Sequence, residues 1–302
     1  MRRPLVWVLR RLVVAPAVVA LTVLLWVTLP GWLLVAAALA PVLPGRWRAL
    51  LERDIVPDLV LGTSVGALNG AMVARQPELA VVDRLTDLWV ATAQGRDVYG
   101  DRPLRTVRRA VSTGTHIYSS APLRARLEEE LGGARFEDLP VRLEVCAASI
   151  ERAAEHWFTE GPIVPAILAS AAVPGLLPPA EVDGEHFLDG GLVNSIPVGR
   201  AVELGATRVF VLQVGRIDRP LQVPTRPWQV ARVSFEVARR HRFTRDMATI
   251  PDGVEAHVLP AAGTSSRDDS LLSHRDFSGV QARIDATYVA SRDFLDAELG
   301  RP

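Results

Sequence analysis

Hydrophobic positions in this chain form short continuous runs and longer stretches with helical spacing, preceded by one apolar block that fits neither pattern. The short runs predict strands at 58–62, 141–149, 155–159, 186–189, 207–214 and 254–259. Val209-Phe210-Val211-Leu212-Gln213-Val214 is nearly continuous, the mark of a strand covered on both faces. Helical spacing predicts helices at 46–54, 65–75, 78–93, 103–111, 121–131, 163–171, 197–204, 228–248 and 277–298. Strands and helices that alternate in this way point to an α/β fold, with a largely parallel sheet between helical layers. No internal repeat is visible. Residues 263–270 read as an exposed polar loop, and Arg216 to Pro227, with three prolines, as an irregular connection or lid.

The block that fits neither pattern runs from Leu12 to Gly45 without a charge. About twenty predominantly apolar residues already span a bilayer's hydrocarbon layer, so the block predicts a membrane-associated segment over 1–45 and a second unit over 46–302. Trp7, Trp26, Trp32 and Trp47 lie in or beside it, and arginines flank it on both sides: Arg2, Arg3, Arg10 and Arg11 before, Arg46, Arg48 and Arg53 after. Pro30-Gly31 divides the block, which suggests a hairpin or one helix over roughly 12–29 followed by another element. Two other readings compete: a secretory signal cleaved near Ala36 to Ala40, and a start that is not native to the domain behind it. The arginine-rich flanks and the unpaired cysteine favour a membrane-associated protein whose larger unit faces the cytoplasm.

Composition narrows the function classes. The chain carries 34 basic and 34 acidic residues, a balance that argues against a nucleic-acid partner. Cys146 is its single cysteine, so no intrachain disulfide forms, and its strand-like surroundings predict a buried thiol. The basic cluster from Arg232 to Arg245 reads as a solvated helix face, with contact to anionic lipid as the alternative.

Candidate chemistry begins at Gly62-Thr63-Ser64-Val65-Gly66, where a strand-like Leu59-Val60-Leu61 breaks and a small-residue helix follows. This is the pattern of a nucleophile elbow, in which Ser64 sits on a sharp strand-to-helix turn and glycines two residues either side relieve crowding. The N–H groups of Val65 and Gly66, at the helix start, would face negative charge developing beside the Ser64 hydroxyl. Far downstream, the apolar run before Asp189 ends in Gly190-Gly191, which lets the chain turn at once and the carboxylate project from a strand end.

Together with Ala169-Ser170-Ala171-Ala172-Val173-Pro174-Gly175-Leu176-Leu177-Pro178-Pro179, these stretches resemble the patatin-like phospholipases, above all their bacterial members, from about Arg48 to the C-terminus. The resemblance implies a three-layer α/β/α fold and a serine lipid acyl hydrolase. It makes Ser64 the nucleophile and Asp189 its partner in a Ser–Asp dyad acting through an acyl-enzyme on membrane lipid. No metal, organic cofactor or defined protein partner is implied. Chain order also permits a Ser-acid-His triad with His241, His257 or His274, but the first sits among arginines, the second alternates within a strand and the third lies in a polar loop. His186, three residues before Asp189, reads as a strand-end surface residue. The sequence departs from the family at Leu34-Val35-Ala36-Ala37-Ala38-Leu39-Ala40, where a glycine-rich oxyanion loop with an arginine is expected. The alternative is therefore a non-catalytic, membrane-bound relative that binds acyl chains.

Overall fold

The computed structural model describes residues 42–94, 115–116, 118–214, 220–225, 227–260 and 280–301. The apolar block up to residue 41, the glycine-poor stretch 34–40, the expected helix at 103–111, the loop 263–270 and His274 lie outside the described residues. Among the described residues, no helix is long and apolar enough to cross a membrane.

The chain runs α1 (Val42–Leu51), β1 (Leu59–Thr63), α2 (Val65–Arg75), α3 (Ala80–Gln94), α4 (Ala121–Leu131), β2 (Arg142–Ser149), β3 (Ala154–Phe158) and α5 (Ile163–Ser170). It continues as β4 (Ala180–Val182), β5 (Glu185–Asp189), α6 (Val198–Glu203), β6 (Arg208–Val211), α7 (Pro227–Ala248), β7 (Glu255–Val258) and α8 (Val280–Leu299). The β4 strand was not expected from the sequence. It is three residues long and follows two prolines, and it exists because Asp183-Gly184, both at positive φ, fold it back onto β5 with Val182 opposite Glu185.

The main sheet is mixed. The β1 and β2 strands pair in parallel, as do β6 and β7 in a separate two-stranded sheet, while β3 and β5 join β2, and β4 joins β5, antiparallel. Because β2 uses residues 145–149 to pair with β3, its partners β1 and β5 share the opposite edge. β1 occupies the first part of that edge, ending with Thr63 opposite Cys146. β5 arrives from the other direction and ends with Asp189 opposite Ala147. Two strand ends thus meet halfway along β2.

Helices cover both faces of β2, whose residues after Arg142 are all buried. On one face Gly70 of α2 lies so close that an added Cβ would stand 2.7 Å from Val60 Cγ1, which explains the small residues of this helix. Leu143 and Val145 point into this face's core, shared with Leu50 of α1, Leu85 of α3, Leu131 of α4 and Ile167 of α5. On the other face Glu144, fully buried, is held by Arg200 of α6 at 2.9 Å and by Arg142 at 2.6 Å. A smaller core of Ile196, Val198, Val211 and Phe243 ties α6, β6 and α7 together.

The basic residues expected at a membrane edge are engaged within the protein. Arg46 is fully buried and donates to the main-chain carbonyls of Gln213 and Pro260, and burial lowers its pKa to about 10. Arg48 pairs with Glu52 and Arg53 with Asp296, while Trp47 is buried in the main core. The basic cluster on α7 is equally committed: Arg239 and Arg240 pair with Glu236, and Arg242 pairs with Asp246 and Glu155. Neither the solvated face nor the lipid-contacting face foreseen for that cluster describes Arg239, Arg240 and Arg242, because acidic neighbours on α7 and β3 neutralise them.

Candidate active site

Ser64 stands between β1 and α2 with φ 55° and ψ −120°, a backbone conformation that side chains with a Cβ rarely adopt. Two residues earlier, a Cβ on Gly62 would lie 2.5 Å from Ala67 Cα, so the chain can turn into α2 only without one. Gly66 differs from the expectation of crowding on both sides, since among the described residues nothing lies within 4 Å of the Cβ it lacks. Val65 and Gly66 hold the first helical positions, whose N–H groups have no intrahelical carbonyl to meet.

Asp189 closes the gap from the other strand. Its Oδ2 accepts a hydrogen bond from Ser64 Oγ at 2.7 Å, and its Oδ1 accepts one from the Gly191 N–H, also at 2.7 Å. Its own N–H donates to the Ala172 carbonyl at 2.9 Å. Both glycines after it are forced by contact: a Cβ on Gly190 would fall 2.3 Å from the Cys146 carbonyl oxygen, and one on Gly191 would fall 2.9 Å from Asp189 Oδ1 and 3.1 Å from Phe235 Cζ on α7. The carboxyl group is 2% exposed. Burial raises its pKa to about 6, against the opposing pull of the hydrogen bonds from Ser64 and Gly191. It is therefore ionised at neutral pH yet far more basic than an ordinary aspartate.

His186, His241 and His257 stand elsewhere. His186 is on β5 but bonds Glu151 at 2.7 Å and is half exposed, as expected of a strand-end surface residue. His257 stacks on Phe210. His241 is exposed on α7. The Asp189 carboxylate spends its hydrogen bonds on Ser64 and Gly191 instead. Cys146 is buried beneath the two strand ends, and burial pushes its thiol pKa far up, so it is inert as a nucleophile. Among the described residues, no cluster of histidines, cysteines and carboxylates is arranged to hold a metal ion.

Several supporting residues were not singled out in the sequence. The Ser170 hydroxyl accepts from the Ser64 N–H at 2.7 Å and donates to the Cys146 carbonyl at 2.6 Å. Thr63 Oγ1 donates to the Asn194 carbonyl at 2.8 Å, and Asn194 Nδ2 donates to Glu155, which pairs with Arg242 of α7. These partners lie 106 and 131 residues away from the elbow, and no local spacing signals them.

A sequence model of the patatin-like phospholipases matches residues 37–202, more than half of the chain, including Ser64, Asp189 and the residues to which both hydrogen-bond. The chain belongs to the patatin-like phospholipase family. It is similar to a putative patatin-like phospholipase domain-containing protein of Caenorhabditis elegans, at 28% identity over 58% of this chain and 16% of the relative. It is also similar to the lysophospholipase NTE1 of Yarrowia lipolytica, at 29% identity over 58% of this chain and 12% of the relative. Rat patatin-like phospholipase domain-containing protein 7 is 26% identical over the same share of this chain and 12% of its own length. The chain thus spans less than a fifth of each of these relatives.

Proposed function

We propose that the protein is a lipid acyl hydrolase that cleaves carboxylic ester bonds of phospholipids or related lipids through a Ser64–Asp189 dyad. The observation that carries this reading is the 2.7 Å bond between Ser64 Oγ and a buried, basic Asp189 carboxylate, on a backbone turn held in a strained conformation. In the first half-reaction Asp189 takes the Ser64 proton as Ser64 Oγ attacks the ester carbonyl. The tetrahedral intermediate then expels the alcohol, which takes that proton from Asp189, and an acyl-serine remains. In the second half, Asp189 takes a proton from water as the water attacks the acyl-serine, and returns it to Ser64 Oγ as the fatty acid leaves. The Val65 and Gly66 N–H groups are the oxyanion donors within reach of the elbow. Membership of a family that contains lysophospholipases supports a lipid ester as substrate.

The uncharged block that begins at Leu12, whose last residues Val42 to Gly45 fold into α1, supports a membrane-associated protein that meets its substrate at the bilayer, with the larger unit facing the cytoplasm. The glycine-poor stretch 34–40 favours the rival reading, a relative that binds acyl chains without cleaving them. A serine-directed fluorophosphonate separates the two. The enzyme reading expects stoichiometric labelling of the full chain at Ser64 and none in Ser64→Ala. A wild-type protein that stays unlabelled while binding fatty acid would establish the rival.

A further inference from the structure

The strained turn at Ser64 needs something to hold it. A non-glycine residue at positive φ costs about 1–3 kcal/mol and persists only where its surroundings over-determine it. The carboxylate of Asp189 fixes the Ser64 side chain but not its backbone. The Ser64 carbonyl accepts from the Ala67 N–H at 2.9 Å as α2 begins, and the Ser64 N–H is held by Ser170, the last residue of α5 and fully buried. Its hydroxyl spends both hydrogen-bonding functions there, accepting from the Ser64 N–H and donating to the Cys146 carbonyl. Cys146 is the β2 residue opposite Thr63, where the two strand ends meet. Two residues on, the Ala172 carbonyl accepts from the Asp189 N–H at 2.9 Å. One short segment at the C-terminal end of α5 therefore holds both members of the dyad by their backbones.

We propose that Ser170 is a positioning residue for the nucleophile, its hydroxyl bridging the Ser64 N–H and the Cys146 carbonyl so that Ser64 Oγ stays aimed at Asp189. This rests on the reading of Ser64 as nucleophile. A second consequence is that the Ser64 N–H is occupied in the resting protein, so oxyanion stabilisation at the elbow falls to the two residues after it.

Removing the hydroxyl leaves a buried N–H and a buried carbonyl unpaired and lets the turn relax. The test compares Ser170→Ala, Ser170→Cys and Ser170→Thr in the full chain, by hydrolysis of a short-chain nitrophenyl ester and by fluorophosphonate labelling rate. Ser170→Ala is expected to lower kcat and labelling rate by about tenfold or more with KM within about twofold, equivalent to about 1.4 kcal/mol of lost transition-state stabilisation. Ser170→Thr keeps the hydroxyl and should stay within about threefold of wild type even if its added methyl lowers Tm. Should the alanine variant fail to fold, the comparison of Thr with Cys, a weak donor and acceptor of similar size, decides in its place. Equal losses in the Thr and Ala variants, or in Thr and Cys, would mean that packing matters and the hydroxyl does not, and would overturn the inference. A crystal structure of any folded variant lacking the hydroxyl gives an answer independent of turnover: Ser64 still at φ near 55° with its Oγ on Asp189 overturns the inference even if the wild type proves inactive. Labelling that survives Ser64→Ala would instead defeat the dyad itself and leave the backbone bridge to be judged by that crystal structure.

Discussion

Thr63 and Asp189 meet head to head along one edge of β2, the first paired with Cys146 and the second with its neighbour Ala147. A parallel strand and an antiparallel strand have been brought to the same edge, and each ends where the other does. The residue after Thr63 is Ser64, so the register of two separate pairings is what sets the 2.7 Å contact with Asp189.

Burial of Asp189 has a signed consequence for pH. In the proposed mechanism Asp189 is the base and its ionised form the active one, so kcat/KM on a nitrophenyl ester is expected to rise tenfold per pH unit below about 6 and to level off above about 7. The same burial works against stability. The folded protein holds this proton up to about pH 6, whereas an unfolded aspartate releases it near its ordinary value of 3.8. The stabilising contribution is complete below about 3.8 and is lost as pH rises through 6, a difference of roughly 3 kcal/mol. Asp189→Asn presents an oxygen to Gly191 and an amide to Ser64, so it should abolish turnover yet unfold at a higher temperature than wild type at pH 7.5. At pH 4 the two should unfold alike. A lower Tm for Asp189→Asn at pH 7.5 would show that the carboxylate is not destabilising there.

The two glycines of the elbow are predicted to differ. Gly62→Ala drives a methyl group to 2.5 Å from Ala67 Cα and should destabilise the fold by about 2 kcal/mol or more, with loss of turnover. Gly66→Ala meets open space at a helical position and should stabilise the fold by about 0.5–1 kcal/mol. Urea unfolding of the two variants measures this directly, and equal destabilisation would contradict it.

Glu144 and its two arginines offer a test away from the dyad. Arg200→Met removes the arginine that holds this buried carboxylate from α6 and should cost about 3 kcal/mol. Arg142 is 58% exposed at its side chain, and its replacement by methionine should cost under about 1 kcal/mol, since solvent screens it and Arg200 remains. Chemical denaturation of both variants would reject this ordering if Arg142→Met proved the more damaging.

Membrane association is tested by fractionation. The full chain is expected to stay with membranes through a high-salt wash, whereas attachment by surface charge would be released. Recovery of intact protein in the soluble fraction would reject the reading of the Leu12–Gly45 block as a membrane segment.

Local pattern made most elements legible: α2 over 65–75 and α4 over 121–131 fall where helical spacing put them. The strand expected over 207–214 shortens to Arg208–Val211, because an apolar run shows where a strand is buried and not where its partner ends. β4 escaped notice because its signal lies in the Asp183-Gly184 turn and not in its three residues. Ser64 and Asp189 stood out because Gly62, before the one, and Gly190 and Gly191, after the other, are glycines that steric contact demands. Ser170 and Asn194 were not, since their partners are set by docking of distant segments. Arg46 was misread as a membrane-flanking charge because composition cannot distinguish an arginine beside a bilayer from one buried against two carbonyls.

The hairpin of β4 and β5, closed by a two-residue turn, carries the acid, while the serine belongs to a strand-helix unit 125 residues earlier. Neither half contains both members of the proposed dyad. Both dock on the same edge of β2, which lies between them in sequence, and on the segment that ends α5, so both supports must be in place before they face one another. The contact between Ser64 and Asp189 is thus a property of the assembled sheet, and a chain in which β2 has not yet gathered both strand ends brings no carboxylate to the serine.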